Sequence, residues 1–326
     1  MDHVTKLLKD RGQGRIDRRR FLETLGLTAT AACTLGAFPR AAAALAGGTQ
    51  ASGGKPFTAT TVNHLAISTP NYARSRDFYI DLFGMRDVWD DGAKCQLDFS
   101  SLSEPNSLYI VGQGKPGGTP AIGHYAFGLP AFWAERAALK RELDSGGYQG
   151  VRADGEAGFM VNGPSGYQVQ PVPVKDPAMF PGAASPCEVA TSDTCKAAYE
   201  RGLKHLASMP TPGGKGFKAT HFKHIVLHVA DIGKERDFYT SLLGLKVVSD
   251  RPGECSLRFG RNTLVLRPTG ADGTPYLNEV GYAVDDYDSA KAKAELDRRG
   301  LNPQPGSSAG AWAFSDPDGF RLEVAG

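Results

Sequence analysis

The sequence contains one pattern written twice. Asn63-His64-Leu65-Ala66-Ile67 matches Lys223-His224-Ile225-Val226-Leu227, and Arg76-Asp77-Phe78-Tyr79 matches Arg236-Asp237-Phe238-Tyr239. Leu82-Phe83-Gly84-Met85 and Cys95-Gln96-Leu97-Asp98-Phe99 likewise reappear as Leu242-Leu243-Gly244-Leu245 and Cys255-Ser256-Leu257-Arg258-Phe259. All four pairs share an offset of 160 residues; later it shrinks to 153, between Gly166 and Gly319. A sustained period of this size describes two homologous domains, near 57–174 and 218–326, joined by a linker over 175–217.

Within each copy the pattern doubles again. A strand at 61–68 is followed by a helix from Asn71 to Phe83, which carries Phe78 and Leu82 at i, i+4 and stops at Gly84. Strands near 86–90, 94–99 and 107–112 come next. A new strand from His124 to Leu129 then leads into a helix from Ala131 to Ser145, and strands follow near 149–153, 157–162 and 167–173. The second copy repeats the order, with strands near 222–229, 246–250, 254–259, 263–267 and 279–284, helices at 233–243 and 287–299, and final strands to 324. The expected fold class is α+β: two tandem domains, each a pair of βαβββ modules. The 40 Gly and 21 Pro among 326 residues are the turn chemistry of many short strands.

Composition removes several alternatives. Hydrophobic residues make 41% and charged residues 22%, which excludes global disorder. With 37 basic and 35 acidic residues, composition offers no strongly basic nucleic-acid binder. No apolar run reaches the ~18 residues of a membrane-spanning helix, so no stable span is expected.

Residues 1–46 read as an export address: Arg15, Arg18, Arg19 and Arg20, a stretch of small residues from Leu22 to Phe38, then Ala44-Leu45-Ala46. Arg18-Arg19-Arg20-Phe21-Leu22 resembles the twin-arginine motif, with Asp17 and Glu23 at positions where that motif usually has Ser or Thr and Lys. The resemblance implies the twin-arginine export machinery as a partner and a periplasmic or secreted mature chain. That route carries folded proteins, often with a cofactor inside. Of the five Cys, Cys33 lies in the address, and Cys187 and Cys195 lie in the linker, where a local disulfide is the simplest reading. Cys95 and Cys255 sit at matching strand positions and read as buried free thiols.

Asp237-Phe238-Tyr239-Thr240-Ser241-Leu242-Leu243-Gly244-Leu245 and Asp316-Pro317-Asp318-Gly319-Phe320-Arg321-Leu322-Glu323, with an early His on the first strand, resemble the vicinal oxygen chelate superfamily. That superfamily groups glyoxalase I, extradiol dioxygenases, and fosfomycin and bleomycin resistance proteins. The first copy carries Asp77-Phe78-Tyr79-Ile80-Asp81-Leu82-Phe83-Gly84-Met85 and, less closely, Gly163-Pro164-Ser165-Gly166-Tyr167-Gln168-Val169-Gln170. The resemblance implies that each domain curls into an open, cupped β-barrel holding a divalent metal, with Fe(II) favoured over Mn, Ni or Zn. It also implies a substrate that offers two neighbouring oxygens.

Carried over residue by residue, the ligand positions are His64, His124 and Gln170 in the first copy and His224, Glu279 and Glu323 in the second. Gln170 lacks the charge of the family's Glu, and Glu279 replaces a usual His. Neither Ser107–Val111 nor Thr263–Arg267 offers the fourth ligand of glyoxalase I, and Arg267 suits an anionic substrate instead. The leading expectation is a metal-dependent, dioxygenase-like enzyme with a three-ligand facial set. No acid/base His is evident in the last third, where the extradiol enzymes usually carry one. The alternatives are a bleomycin-resistance-like binding protein without metal, a glyoxalase-type lyase or isomerase, and a mixed protein with one catalytic domain. Several further residues carry bland readings. His228 lies about 13 Å along the strand from His224, too far to share a metal. His221 stands at the strand entrance and His205 in the linker. Trp89, Trp133 and Trp312 read as packing residues.

Overall fold

A computed structural model of the chain describes residues 57–99, 106–113, 117–154, 158–174 and 216–326. The expected export address, almost all of the linker, and Cys33, Cys187, Cys195 and His205 lie outside these residues. In the first copy the chain forms β1 (Thr61–Thr69), α1 (Tyr72–Phe83), β2 (Arg86–Asp90), β3 (Lys94–Asp98) and β4 (Ser107–Gly112). It continues as β5 (Ala121–Leu129), α2 (Phe132–Ser145), β6 (Gln149–Asp154), β7 (Gly158–Asn162) and β8 (Gln168–Pro173). The second copy gives β9 (Ala219–Val229), α3 (Ile232–Leu243), β10 (Lys246–Arg251), β11 (Glu254–Phe259) and β12 (Asn262–Pro268). Then come β13 (Tyr276–Val284), α4 (Ser289–Arg298), β14 (Gln304–Pro305), β15 (Trp312–Ser315) and β16 (Arg321–Ala325). These are the βαβββ modules expected from the sequence.

Each copy makes one open eight-stranded sheet, ordered β2-β3-β4-β1-β5-β8-β7-β6 and β10-β11-β12-β9-β13-β16-β15-β14. The first strands of the two modules pair antiparallel at the centre, and each is flanked by the last strand of its own module running parallel.

Local chemistry sets the helix ends alike in both copies. The side chains of Asn71 and Asp231 accept from the backbone N–H of Arg74 and Lys234 and start α1 and α3. Gly84 and Gly244 end them in the left-handed conformation, at φ 63° and 66°. The helix expected from residue 287 starts instead at Ser289, because the Asp288 side chain caps Lys291 N–H.

Side-chain alternation gives each sheet two unlike faces. Leu65, Ile67, Tyr125, Phe127 and Val169 point to one face of the first sheet, and Ile225, Leu227, Val280, Tyr282, Leu322 and Val324 to the matching face of the second. These faces join in one aromatic-rich core between the copies. Phe83 of α1 lies 4.6 Å from Tyr282 in ring centroids, and Phe127 lies 5.1 Å from Phe259. Tyr79 and Tyr239, from the repeated Asp-Phe-Tyr, are buried here and reach across to the other copy. Tyr79 Oη donates to Asp316 Oδ2 at 2.8 Å, and Tyr239 Oη pairs with Tyr125 Oη. The segment before each first strand also crosses over. Phe57 and Ala59 N–H donate to the Leu242 and Leu243 carbonyls at the end of α3, and Phe217 N–H donates to Leu82 O at the end of α1. They satisfy carbonyls that a helix end leaves open. Cys95 and Cys255 are buried free thiols, as expected. Trp133 packs against the core, and Trp312 Nε1 donates to Ser289 O at 2.8 Å.

Asp316 lies in the turn before β16, where Gly319 adopts φ 92°. Its Oδ1 accepts from Asp318 and Phe320 N–H. Burial pushes its carboxyl up to about 6, against the hydrogen bonds from Tyr79 and the turn. The folded chain therefore holds a proton that the unfolded chain gives up near pH 4, so this residue's contribution to stability falls as pH rises from about 4 to about 6. Asp316→Asn keeps the turn acceptor and removes the titration. The melting temperature of the wild type minus that of the variant is expected to fall across this window, and a constant difference would refute it.

Candidate metal centre

The faces opposite the core carry the candidate ligands. In the first sheet His64 stands in register with Ala126, which is in register with Gln170; in the second, His224, Gly281 and Glu323 make the same row. His124 and Glu279 sit two residues before Ala126 and Gly281 on the same face. The six residues expected from the sequence thus fall into two trios at equivalent places.

The second trio is tightly buried. His224, Glu279 and Glu323 are 6%, 3% and 0% exposed, and one potential ligand atom from each lies within 4.8 Å of the others. His224 Nε2 is 3.0 Å from Glu279 Oε1, and Nδ1 is 4.0 Å from Glu323 Oε1. Each carboxylate is held from behind. Arg321 Nε donates to Glu279 Oε2 at 2.6 Å, while Ser307 N–H and Oγ donate to Glu323 Oε2, the hydroxyl at 2.8 Å. Burial raises the Glu279 carboxyl, but the hydrogen bonds from His224 and Arg321 outweigh it and hold the group below the usual carboxylate range. Glu323 Oε1 is buried with no hydrogen-bond partner. Such an atom is costly to bury, and a cation between it and His224 would remove that cost. One imidazole and two carboxylates, each fixed by an outer partner, suit a divalent transition metal.

Glycine permits this packing at two points. A Cβ at Gly281 would lie 2.3 Å from His224 Cε1, and one at Gly306 would lie 2.5 Å from Glu323 Oε2.

The first trio is arranged differently. His64 Nε2 and His124 Nε2 are 2.8 Å apart. Asn63 Nδ2 donates to the carbonyls of Pro173 and Val174, so Asn63 Oδ1 faces His64 Nδ1, at 2.9 Å, as an acceptor. His64 therefore carries its proton on Nδ1 and turns the Nε2 lone pair to His124. Burial, and then the neighbouring His124, lower the His64 pKa well below its ordinary value, partly offset by a hydrogen bond with Gln170. His64 is thus neutral at neutral pH, which suits ligation, but this trio has no carboxylate. In place of a fourth ligand, the Tyr109 ring meets His64 edge-on at 4.9 Å. His228 lies apart from the centre, stacked on Tyr276 at 4.4 Å, with Nδ1 donating to Pro268 O.

Sequence reasoning missed Arg321, Ser307, Asn63 and Gly281. Arg321 was within reach, since it lies two residues before Glu323 and so on the same strand face. Ser307 arrives from a loop, where no periodicity announces it.

A cavity of about 550 Å³ opens beside His224, lined by Val226, Thr263, Val265, Ser307 and a set of basic residues. A smaller space beside it is lined by Glu279, Arg267, Ser307 and Arg321.

No curated protein matches the chain by sequence. Solved structures match its fold. The Mn(II)-bound glyoxalase from Novosphingobium aromaticivorans is 16% identical, with a TM-score of 0.58 and 82% of each chain covered. The 2,3-dioxygenase LapB from Pseudomonas sp. KL28 is 15% identical, with a TM-score of 0.58, over 82% of this chain and 92% of that one. A catechol 2,3-dioxygenase is 16% identical, with a TM-score of 0.57, over 82% of this chain and 88% of that one. The described chain therefore has the tandem glyoxalase/dioxygenase fold, and its residues 221–324 match the sequence profile of the Glyoxalase/Bleomycin resistance protein/Dioxygenase superfamily.

Proposed function

We propose that this protein is a metal-dependent enzyme of the dioxygenase type, acting on a small molecule with vicinal oxygens, and that its centre is His224, Glu279 and Glu323. The observation that carries this reading is the buried Glu323 Oε1, which has no hydrogen-bond partner and faces His224 and Glu279. The oxygen-rich donor set favours Fe(II) or Mn(II). A divalent ion held there supplies Lewis acidity and a template for two neighbouring substrate oxygens. The protein's own part is positioning. Arg321 and Ser307 each hold the outer oxygen of a carboxylate, so that Glu279 Oε1 and Glu323 Oε1 face His224. Val226 and Val265 give the cavity an apolar wall beside the centre. The likeness to the Mn(II)-bound glyoxalase and the two 2,3-dioxygenases supports the class.

The first copy favours a second reading for itself, that of a metal-free binding or structural domain. His64 and His124 bond to one another and Gln170 brings no charge. The expected stoichiometry is one metal per chain after metal-replete expression. Glu323→Gln should abolish it, while His64→Ala and His124→Ala should leave it unchanged. Elemental analysis of the purified protein reads this directly, and a wild type without Fe, Mn, Ni or Zn would remove the enzyme reading.

A carboxylate is the missing element of the first trio. Gln170→Glu is therefore expected to raise the content to two ions per chain, measured the same way. A variant that stays at one would show that the Gln is not what separates the copies.

We further propose twin-arginine export, on residues 1–46, and a periplasmic or secreted mature chain. The Arg18→Lys, Arg19→Lys double variant is expected to stay in the cytoplasm with its N-terminus intact. Cell fractionation tests this, and normal export of the variant would refute it.

A further inference from the structure

The geometry points to a substrate or ligand with an anionic oxygen group, a carboxylate or a phosphate, which the second cup holds while the vicinal oxygens face His224, Glu279 and Glu323. The inference rests on the metal-centre reading for the placement of the oxygens. The charged end stands on other residues.

The cavity beside His224 is lined by Lys223, Arg251, Arg258, Arg261 and Arg267, against a single lining carboxylate, Glu254. Arg251 and Arg267 both bind Glu254, at 2.7 and 2.9 Å, so that carboxylate is already shared. Arg258 lies on the same face of β11 as Glu254, two residue pairs along, and is exposed. Guanidinium groups gathered along one wall match the planar oxygens of a carboxylate or phosphate. Their like charges sum to a positive potential over the cavity.

The first copy shows that the fold does not require this charge. In register, Lys223 corresponds to Asn63, Arg251 to Asp91, Arg258 to Asp98, and Arg267 to Val111. The same positions are neutral or acidic where the trio lacks carboxylates, and basic where the trio has two. Charge near the metal trio and charge along the wall thus differ together between the copies.

The test compares two probes that differ by one carboxylate, catechol and 3,4-dihydroxybenzoate. Each is titrated calorimetrically into the full-length protein loaded with Mn(II). The dihydroxybenzoate should bind about tenfold more tightly, the scale of one charge-assisted pair. Added salt should shrink that preference. Arg258→Gln should weaken the dihydroxybenzoate alone, and Arg258→Gln with Arg267→Gln should bring the two probes together with metal content unchanged. Inorganic phosphate as a competitor separates the two oxyanions: displacement at lower concentration than by benzoate assigns phosphate, and the reverse assigns carboxylate. Equal affinities in the wild type, or no saturable binding of the dihydroxybenzoate at millimolar concentration, overturn the inference. Repeating the titrations after chelation separates the two readings. A carboxylate preference indifferent to Mn(II) keeps the basic wall and removes the metal reading. Metal-dependent binding without preference does the opposite.

Discussion

The centre depends on how the middle strands pair. In each sheet the first strands of the two modules run antiparallel, and the last strand of the second module lies parallel beside its own first strand. That arrangement puts residues far apart in sequence into one row across three adjacent strands. His224, Gly281 and Glu323 are such a row, and His64, Ala126 and Gln170 are its copy. Strand neighbours lie about 4.8 Å apart, so side chains on one face of adjacent strands converge to metal-ligand distance without help from loops. A rigid sheet thus fixes the trio, and loops such as that bearing Ser307 only adjust it.

The other faces explain why two copies occur in one chain. Each sheet is apolar on the side away from its trio, and helices cover only part of that side. Pressing the two faces together buries Phe83, Phe127, Tyr239 and Tyr282 in one core. The crossing chain segments then supply partners for helix-end carbonyls in the opposite copy. The shared core leaves both trios on the outer faces, and either trio can change without disturbing the packing.

Much of this was legible in the sequence because it is periodic. The offset of 160 residues, the 3.6-residue period of α1 and α3, and glycine at both helix ends gave the modules and their order. The six trio residues followed from the family resemblance, since register places them and register is carried by the repeat. The long-range hydrogen bonds were not legible. Tyr79 stands in the sequence only as part of the repeated Asp-Phe-Tyr, yet its hydroxyl bonds Asp316 in the other copy, because only the packing of the copies brings that turn near. The difference between the histidines was also hidden. His224 lies over Gly281, where a Cβ would collide with its ring, whereas Ala126 occupies the matching place opposite His64. That one methyl group separates the surroundings of two rings whose Nε2 atoms face the equivalent residues His124 and Glu279, and no pattern of hydrophobicity records it.

The two trios also differ in what burial demands of them. Neither imidazole nor carboxamide carries the fixed charge of a carboxylate: His64 bonds His124 at 2.8 Å, hydrogen-bonds Gln170, and has its pKa lowered well below the ordinary value by burial. Without a carboxylate, such a cluster buries no fixed negative charge for an ion to offset. Two carboxylates around one histidine are not self-sufficient in this way. Arg321 and Ser307 satisfy one oxygen of each, and His224 reaches Glu279, but Glu323 Oε1 keeps its desolvation cost. A fold that needed only stability would lose little by replacing Glu323 with the glutamine its own first copy carries. That the second copy keeps the charge, beside a basic wall that the first copy lacks, follows if the charge binds a cation and the wall binds the anion that cation helps to hold.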